Sequence, residues 1–357
     1  MSRNTIARID LSALGHNLSR VKRMAPASQV VCVVKADGYG HGLARVSAAL
    51  TDADILAVAT VDEGRGCREG GWNGRLLLLE GPANVPEFEE MVSLGAEMVV
   101  HHETQLQLLR QRRHQIRQAL WLKIDTGMHR LGFPPDQAAT VHAELEQLRG
   151  SAPTVLMSHF ACADEPDNPM TRQQIQKFDD SVAGIAGPAS LANSAAILNF
   201  PDSQRDFIRP GILLYGVSPS RQKPAASLEL RPVMTLQCDL IAVNHCQKGD
   251  SIGYGAAYRC PEDMPVGVAA IGYGDGYPRQ ARNGTPVLLD GRRAAIIGHV
   301  SMDMITIDLR GHEQARVGDQ LTLWGPGLPV EEVATWCDAI PYQLFCGVTA
   351  RVKSVIC

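Results

Sequence analysis

The sequence predicts an α/β TIM-like (β/α)8 barrel followed by a second, mostly antiparallel β domain. Three observations carry the prediction. Through residue 224, apolar runs alternate with amphipathic stretches in eight successive units, the size of a barrel at roughly 220 residues. A doubly wound sheet, the rival arrangement, would usually place G-x-G-x-x-G after its first strand, and here that position holds Lys35 in Val33-Val34-Lys35-Ala36-Asp37. Beyond Lys223-Pro224 the runs become short and are bounded by Gly, Asp and Pro, the pattern of an antiparallel β domain.

Taken in order, the barrel strands are expected over 29–35, 55–59, 75–81, 97–102, 119–125, 154–160, 189–193 and 206–212. A helix should follow Asp10, because Leu11, Leu14, Leu18, Val21 and Met24 fall on one face at a 3.6-residue period. The second domain should hold strands at Val233–Val243, Val266–Ile271, Pro286–Leu289, Ala295–Ile297, Met304–Leu309 and Gln320–Leu323, with a helix around Glu331–Cys337. The domains are accordingly residues 1–224 and 225–357, and the first residues can pair with the second domain.

Composition removes several function classes. Of 357 residues, 45% are hydrophobic and 20% charged, an ordinary globular balance, and the net charge of −4 without a basic block argues against nucleic acid. No apolar run reaches the ~18 residues of a membrane span, and the N-terminus, with Arg3, Asn4 and Arg8, lacks the apolar core of an export signal. Nine cysteines without a C-x-x-C pair suit free thiols in a reducing cytoplasm. No metal is expected: His101-His102-Glu103 places adjacent histidines on opposite faces, and no second cluster completes a site.

The unusual polar residues gather at the carboxyl ends of the expected barrel strands. Lys35 ends the first, Lys123 and Arg130 lie at and after the fifth, His159 ends the sixth, Asn193-Ser194 the seventh, and Arg209 lies near the end of the eighth. Barrel enzymes keep their active sites on this face, often with a phosphate site in the last two loops, here Ser194 and the backbone of Gly211-Ile212. An ammonium at the tip of Val-Val-Cys-Val-Val has no structural use there, since desolvating it is costly, whereas an imine-forming lysine opposite a phosphate cradle describes a pyridoxal-phosphate site. Each residue also has an ordinary reading: Lys35 reaching out to solvent, His159 as a hydrogen-bonded core histidine, Arg209 as an ion pair with Asp206, and Ser194 as a helix cap.

Eight motifs stand in order along the chain: Val33 to Gly42, Leu122 to Gly132, Ser158 to Ala161, Ala192 to Ser194, Arg209 to Ile212, Gly253 to Gly255, Gly272 to Gly276 and Ser301 to Asp303. Together they resemble the bacterial alanine racemases, pyridoxal-phosphate enzymes of fold type III, and Val33 to Gly42 is similar to their pyridoxal-lysine signature. The resemblance implies interconversion of L- and D-alanine in the cytoplasm, supplying or recycling D-alanine for peptidoglycan precursors. It also implies pyridoxal 5′-phosphate as cofactor and a homodimer with shared active sites.

The same resemblance assigns roles. Lys35 would hold the cofactor and exchange a proton on one face of the substrate Cα, and Tyr254 from the partner subunit would serve the other face. His159, polarised by Arg209, would assist the Tyr254 phenol, a poor base at neutral pH. Arg209 would face the pyridine nitrogen, where a guanidinium donates a hydrogen bond without readily giving up its proton. Tyr39, Asn193, Ser194, Gly211 and Ile212 would bind the cofactor, Arg130 its phenolic oxygen and the substrate carboxylate, and Met302 and Tyr273 would wall the pocket. Lys123 is either carbamylated, which makes it an anion beside Arg130, or an unmodified lysine paired with Asp125.

Three positions depart from the common pattern: Asp37 where many relatives carry Asn, His299 where many carry Arg, and Ala350 where some have a phosphate-binding tyrosine. Alternative functions are a broader alanine/serine racemase, a fold-type-III decarboxylase, which would place a carboxylate in the role of Arg209, and a non-catalytic pyridoxal-phosphate carrier, which would lack the second domain.

Overall fold

The computed structural model describes residues 4–149, 152–220 and 222–357, so Arg3 lies outside the described residues. The chain forms two compact units. One comprises Leu14–Leu214 with Ser218–Leu230, and the other the N-terminal residues through Ala13, Tyr215–Val217 and Arg231–Cys357.

The strand β1 (Ile6–Ile9) belongs to the second of these units, and the next eight close a parallel barrel. They are β2 (Gln29–Val33), β3 (Ile55–Val58), β4 (Arg75–Leu78), β5 (Glu97–Val100), β6 (Leu120–Lys123), β7 (Val155–Met157), β8 (Ala189–Asn193) and β9 (Phe207–Arg209). All eight expected strands are present, several shorter at their C-terminal ends, where apolar sequence continues into loops that a periodicity argument cannot separate from strand. The runs are continuous rather than alternating because a parallel barrel strand is covered on both faces, by the barrel interior and by the helices. Val30, Val31 and Cys32, for example, are fully buried.

Helix boundaries follow local chemistry. The first, Leu11–Met24, starts after Asp10, whose Oδ1 accepts the Ala13 N–H, and buries Leu14, Leu18 and Val21. Thr60 opens Val61–Glu69 with a reciprocal pair: its hydroxyl accepts from Glu63 N while the Glu63 carboxylate accepts from Thr60 N. His102 accepts from Thr104 N to start Glu103–Arg112, so this histidine, part of the pair considered for a metal, caps a helix. The N-terminal end of the barrel is plugged by Trp121 against Phe207, with ring centroids 5.1 Å apart. Trp121 Nε1 donates to Glu97 at 2.6 Å, and Glu97 pairs with Arg75 at 2.6 Å, so the nearly buried carboxylate is satisfied.

In the other unit the remaining strands are β10 (Met234–Cys246), β11 (Ser251–Ile252), β12 (Tyr258–Arg259), β13 (Met264–Ala269), β14 (Pro286–Leu289), β15 (Arg292–Ile297), β16 (Ile305–Asp308), β17 (Gln320–Trp324) and β18 (Lys353–Ile356). The main sheet runs β13-β16-β15-β14-β17-β10-β1-β18, and β10 also pairs with β13. The long β10 pairs with β17 through Leu236–Asp239 and with β13 through Leu240–Cys246, so the sheet curls back on itself. Pairing is antiparallel except between β1 and β18. The expected helix is observed at Val330–Trp336, and a second, Pro341–Gly347, was not anticipated.

Candidate active site

After β2 the backbone makes an unusual turn. Ala36, Asp37, Gly38 and Tyr39 all adopt left-handed φ/ψ, with φ of 53°, 53°, 62° and 53°. For non-glycine residues this costs about 1–2 kcal/mol each. Hydrogen bonds hold the turn, among them Gly38 N to Val34 O (2.9 Å) and the following four. Ala36 N donates to Glu63 Oε1 (2.6 Å), Leu43 N to Asp37 Oδ1 (2.7 Å), Gly42 N to Asp37 O (2.9 Å), and the His41 Nδ1–H to Tyr39 O (2.8 Å). Asp37, one of the departures from the common pattern, therefore works as a backbone acceptor.

This turn projects Tyr39 onto the last barrel loop. A Cβ built on Gly211 would fall onto the Tyr39 hydroxyl, so only glycine admits that approach. Ser194 Oγ accepts the Gly211 N–H at 2.9 Å, while Asn193 Oδ1 accepts from Ala196 N at 3.0 Å. Asn193, not Ser194, is thus the helix cap. Tyr39, Ser194 and Gly211 converge into a small polar cradle, with the fully buried Ile212 next in the chain.

At the end of β9, Arg209 is 4% exposed. Its Nη1 donates to Ser190 Oγ (2.6 Å), and its Nη2 donates to Ser158 O (2.5 Å) and Leu191 O (3.1 Å) and approaches His159 Nδ1 at 3.4 Å. None of these bonds uses Nε. Asp206 instead accepts the Ala189 N–H, which removes the ion-pair reading of Arg209. Burial lowers the Arg209 pKa to about 10, so it remains a cation at neutral pH. The His159 pKa falls well below 6.5, through burial first and then the charges of Arg209, Lys123, Arg130 and Lys35. Gln174 fixes the His159 segment by donating to its carbonyl (3.1 Å) and accepting the Ala161 N–H (3.0 Å).

Lys123, buried at the end of β6, has its pKa lowered to about 8 by burial and then by Arg209, Arg130 and Lys35. The pairing with Asp125 is not formed: Asp125 Oδ1 accepts from Gly127 N and His129 N, its Oδ2 faces His129 Nδ1, and among the described residues Lys123 has no ion-pair partner. Arg130 is exposed in the following loop. Lys35 is exposed too, so the desolvation expected of its ammonium is absent in the single chain: β2 ends at Val33, before the apolar run does. Tyr254, Tyr273 and Met302 lie in the other unit, 71%, 39% and 53% exposed.

Ser158, Ser190, Glu63 and His41 shape this site without having been singled out as functional in the sequence. His41 and Ser158 carried a signal, their places inside the Lys35 and His159 motifs. Ser190, a serine within an apolar strand, carries none.

The profile of the alanine racemase N-terminal domain matches residues 9–219, and that of the C-terminal domain matches 233–356. The chain belongs to the alanine racemase family. Curated alanine racemases from Nitrosococcus oceani (50% identical, covering 96% of this chain and 97% of the relative) and Halorhodospira halophila (43%, covering 99% and 98%) are similar along their length. Among solved structures, the biosynthetic alanine racemase from Pseudomonas aeruginosa superposes with a TM-score of 0.96 at 43% identity, over 99% of both chains. An alanine racemase from Bartonella henselae with covalently bound pyridoxal phosphate gives 0.88 at 25% identity, also over 99% of both chains.

Proposed function

We propose that this chain interconverts L- and D-alanine as a pyridoxal-phosphate-dependent racemase, working as a cytoplasmic homodimer. The observation that carries the reading is a guanidinium, Arg209, anchored at the end of the last barrel strand within reach of a neutral histidine. A carboxylate there would have favoured decarboxylation or transamination.

The residues fit the cofactor. The cradle of Tyr39, Ser194 and Gly211, closed to any side chain at 211, suits a phosphate, with Asn193 and the Ile212 backbone adjoining it, and Lys35 at the edge of the left-handed turn offers an amine for covalent attachment. When bound, pyridoxal phosphate withdraws electrons from the substrate Cα–H bond and makes that proton removable. Arg209 would hold the ring nitrogen by donating a hydrogen bond, and as a cation of pKa about 10 it keeps its own proton. This limits electron withdrawal and favours returning the proton to Cα.

Two proton carriers on opposite faces suit racemisation. Lys35 would take or return the proton on one face, and Tyr254 of the partner subunit on the other. His159, with Nδ1 facing an arginine that only donates, presents Nε2–H and can stabilise a phenolate. Arg130 would steer the substrate carboxylate. Lys123, a crowded buried amine with pKa about 8, reacts readily with carbon dioxide, and the carbamate would replace a repelled cation with an anion beside Arg130. Exposed Tyr254, Tyr273 and Met302 support a second copy whose surface completes the pocket. No helix among the described residues is long and apolar enough to cross a membrane.

The test is direct. Full-length protein with pyridoxal phosphate should convert L-alanine to D-alanine by chiral chromatography, faster than serine, and borohydride reduction should leave the pyridoxyl group on Lys35. Absence of D-alanine, or a different modified lysine, would sink the proposal.

A further inference from the structure

Two loops of the β-rich unit present Tyr273 and Met302, and they are locked together. Tyr273 N donates to Ser301 O (3.0 Å) and Gly274 N to Met302 O (2.8 Å). A Cβ on Gly272 would overlap the backbone of Ser301 and Met302, so the loops are in contact at their backbones. One side chain spans both. Arg351 reaches Asp275 Oδ1 through Nε (3.4 Å) and Asp303 Oδ1 through Nη2 (2.5 Å), and a Cβ on Gly274 would strike its Nη1. Asp275 is 1% exposed, and its Oδ2 accepts the Gly272 N–H at 2.9 Å, the residue before Tyr273. Thr349, two residues before Arg351, donates to Asp275 O (3.1 Å) and through its hydroxyl to Gly274 O (3.0 Å).

We infer that Arg351 is a positioning residue for substrate selectivity, clamping the 272–276 and 301–304 loops so that Tyr273 and Met302 form a rigid wall. The selectivity part rests on the racemase reading above, and the clamp itself does not. A buried carboxylate that loses an ion-pair partner is held less firmly and shifts toward water. Since Asp275 holds Gly272, its movement carries Tyr273 away from Met302. A loosened wall discriminates less against a side chain larger than methyl, and one extra group in such a pocket is ordinarily worth 10- to 200-fold.

Arg351→Met keeps the length of the side chain and removes the charge, and Arg351→Lys restores the charge. In protein labelled with 3-fluorotyrosine, with Tyr273→Phe for assignment, the Tyr273 fluorine resonance should shift and broaden in R351M and return toward wild type in R351K. In the cofactor-loaded enzyme, R351M should raise the kcat/KM ratio of serine over alanine by about 5- to 10-fold, mainly through a lower KM for serine, with R351K recovering at least half. If R351M does not fold, Asp303→Asn, which removes only the exposed partner, should change both readouts in the same direction by a smaller factor. An unmoved fluorine resonance overturns the clamp. A moved resonance with an unchanged serine-to-alanine ratio overturns the selectivity role, and inactive wild-type enzyme overturns the racemase reading alone.

Discussion

The Arg209 guanidinium meets His159 at Nδ1, 3.4 Å from Nη2. The two Nη2 hydrogens go to Ser158 O and Leu191 O, and a cation that cannot accept a hydrogen bond faces a lone pair better than an N–H, so Nδ1 is the unprotonated ring nitrogen and the proton resides on Nε2. Burial and four nearby cations hold the ring neutral. Nitrogen-15 NMR of the imidazole should therefore report a neutral Nε2–H tautomer for His159 throughout pH 6–8. An imidazolium titrating near 6.5 would show that the cationic surroundings do not act on this ring as described.

Tyr254 sits in a short helical turn between Gly253 and Gly255, both at positive φ, and its phenol is largely exposed. Tyr254→Phe should leave cofactor binding intact and slow racemisation in both directions by at least ~10²-fold, the usual scale for a positioned acid–base group. Exchange of the Cα proton with D2O should survive from one enantiomer only, the one whose proton faces Lys35. Equal loss from both enantiomers would contradict two proton carriers on opposite faces.

The barrel was legible because its strands are continuous apolar runs with polar residues at one end, and those polar ends marked the candidate site. What escaped the sequence was conformation. Nothing in Ala36-Asp37-Gly38-Tyr39 announces four left-handed residues, since three of them pay a steric cost offset by local bonds from Leu43, Gly42 and His41, which exist only once the turn has formed, and by one to Glu63, a partner set by tertiary structure. The effect of Asp37 was open in the sequence for the same reason: its Leu43 contact depends on the turn. Lys123 and Asp125 are two apart, which suggested a pair, but the chain bends after Lys123 and Asp125 spends its oxygens on Gly127 and His129.

That bend leaves Lys123 as a buried amine among Arg209, Arg130 and Lys35, with a pKa near 8. A substantial neutral fraction at pH 8 favours carbamate formation, whose negative charge relieves the repulsion. Protein equilibrated with carbon-13 bicarbonate at pH 8 should show one carbamate signal, absent in Lys123→Met, and the signal should decline as pH falls below 8 and the amine protonates. No Lys123-dependent signal would leave the buried ammonium unmodified and this assignment wrong.

His41 offers the sharpest pH test. It is 1% exposed, its Nδ1 donates to Tyr39 O at 2.8 Å, and burial lowers its pKa to about 4. In the unfolded chain the ring titrates near 6.5. The unfolded state therefore binds a proton that the folded state refuses once pH drops below 6.5, and stability declines from there until the folded pKa near 4 is reached. The slope is about 1.4 kcal/mol per pH unit for one such group. His159 adds a loss of the same sign. His41→Asn removes one titration and can keep a donor toward Tyr39, so its urea midpoint should fall less steeply than wild type between pH 6.5 and 4.5, with similar curves above pH 7. Because His41 holds the turn that presents Tyr39, release of pyridoxal phosphate on acidification should begin at a higher pH in wild type than in the variant. Parallel stability curves for the two proteins across this window would mean that His41 charges freely in the folded state, contrary to its burial.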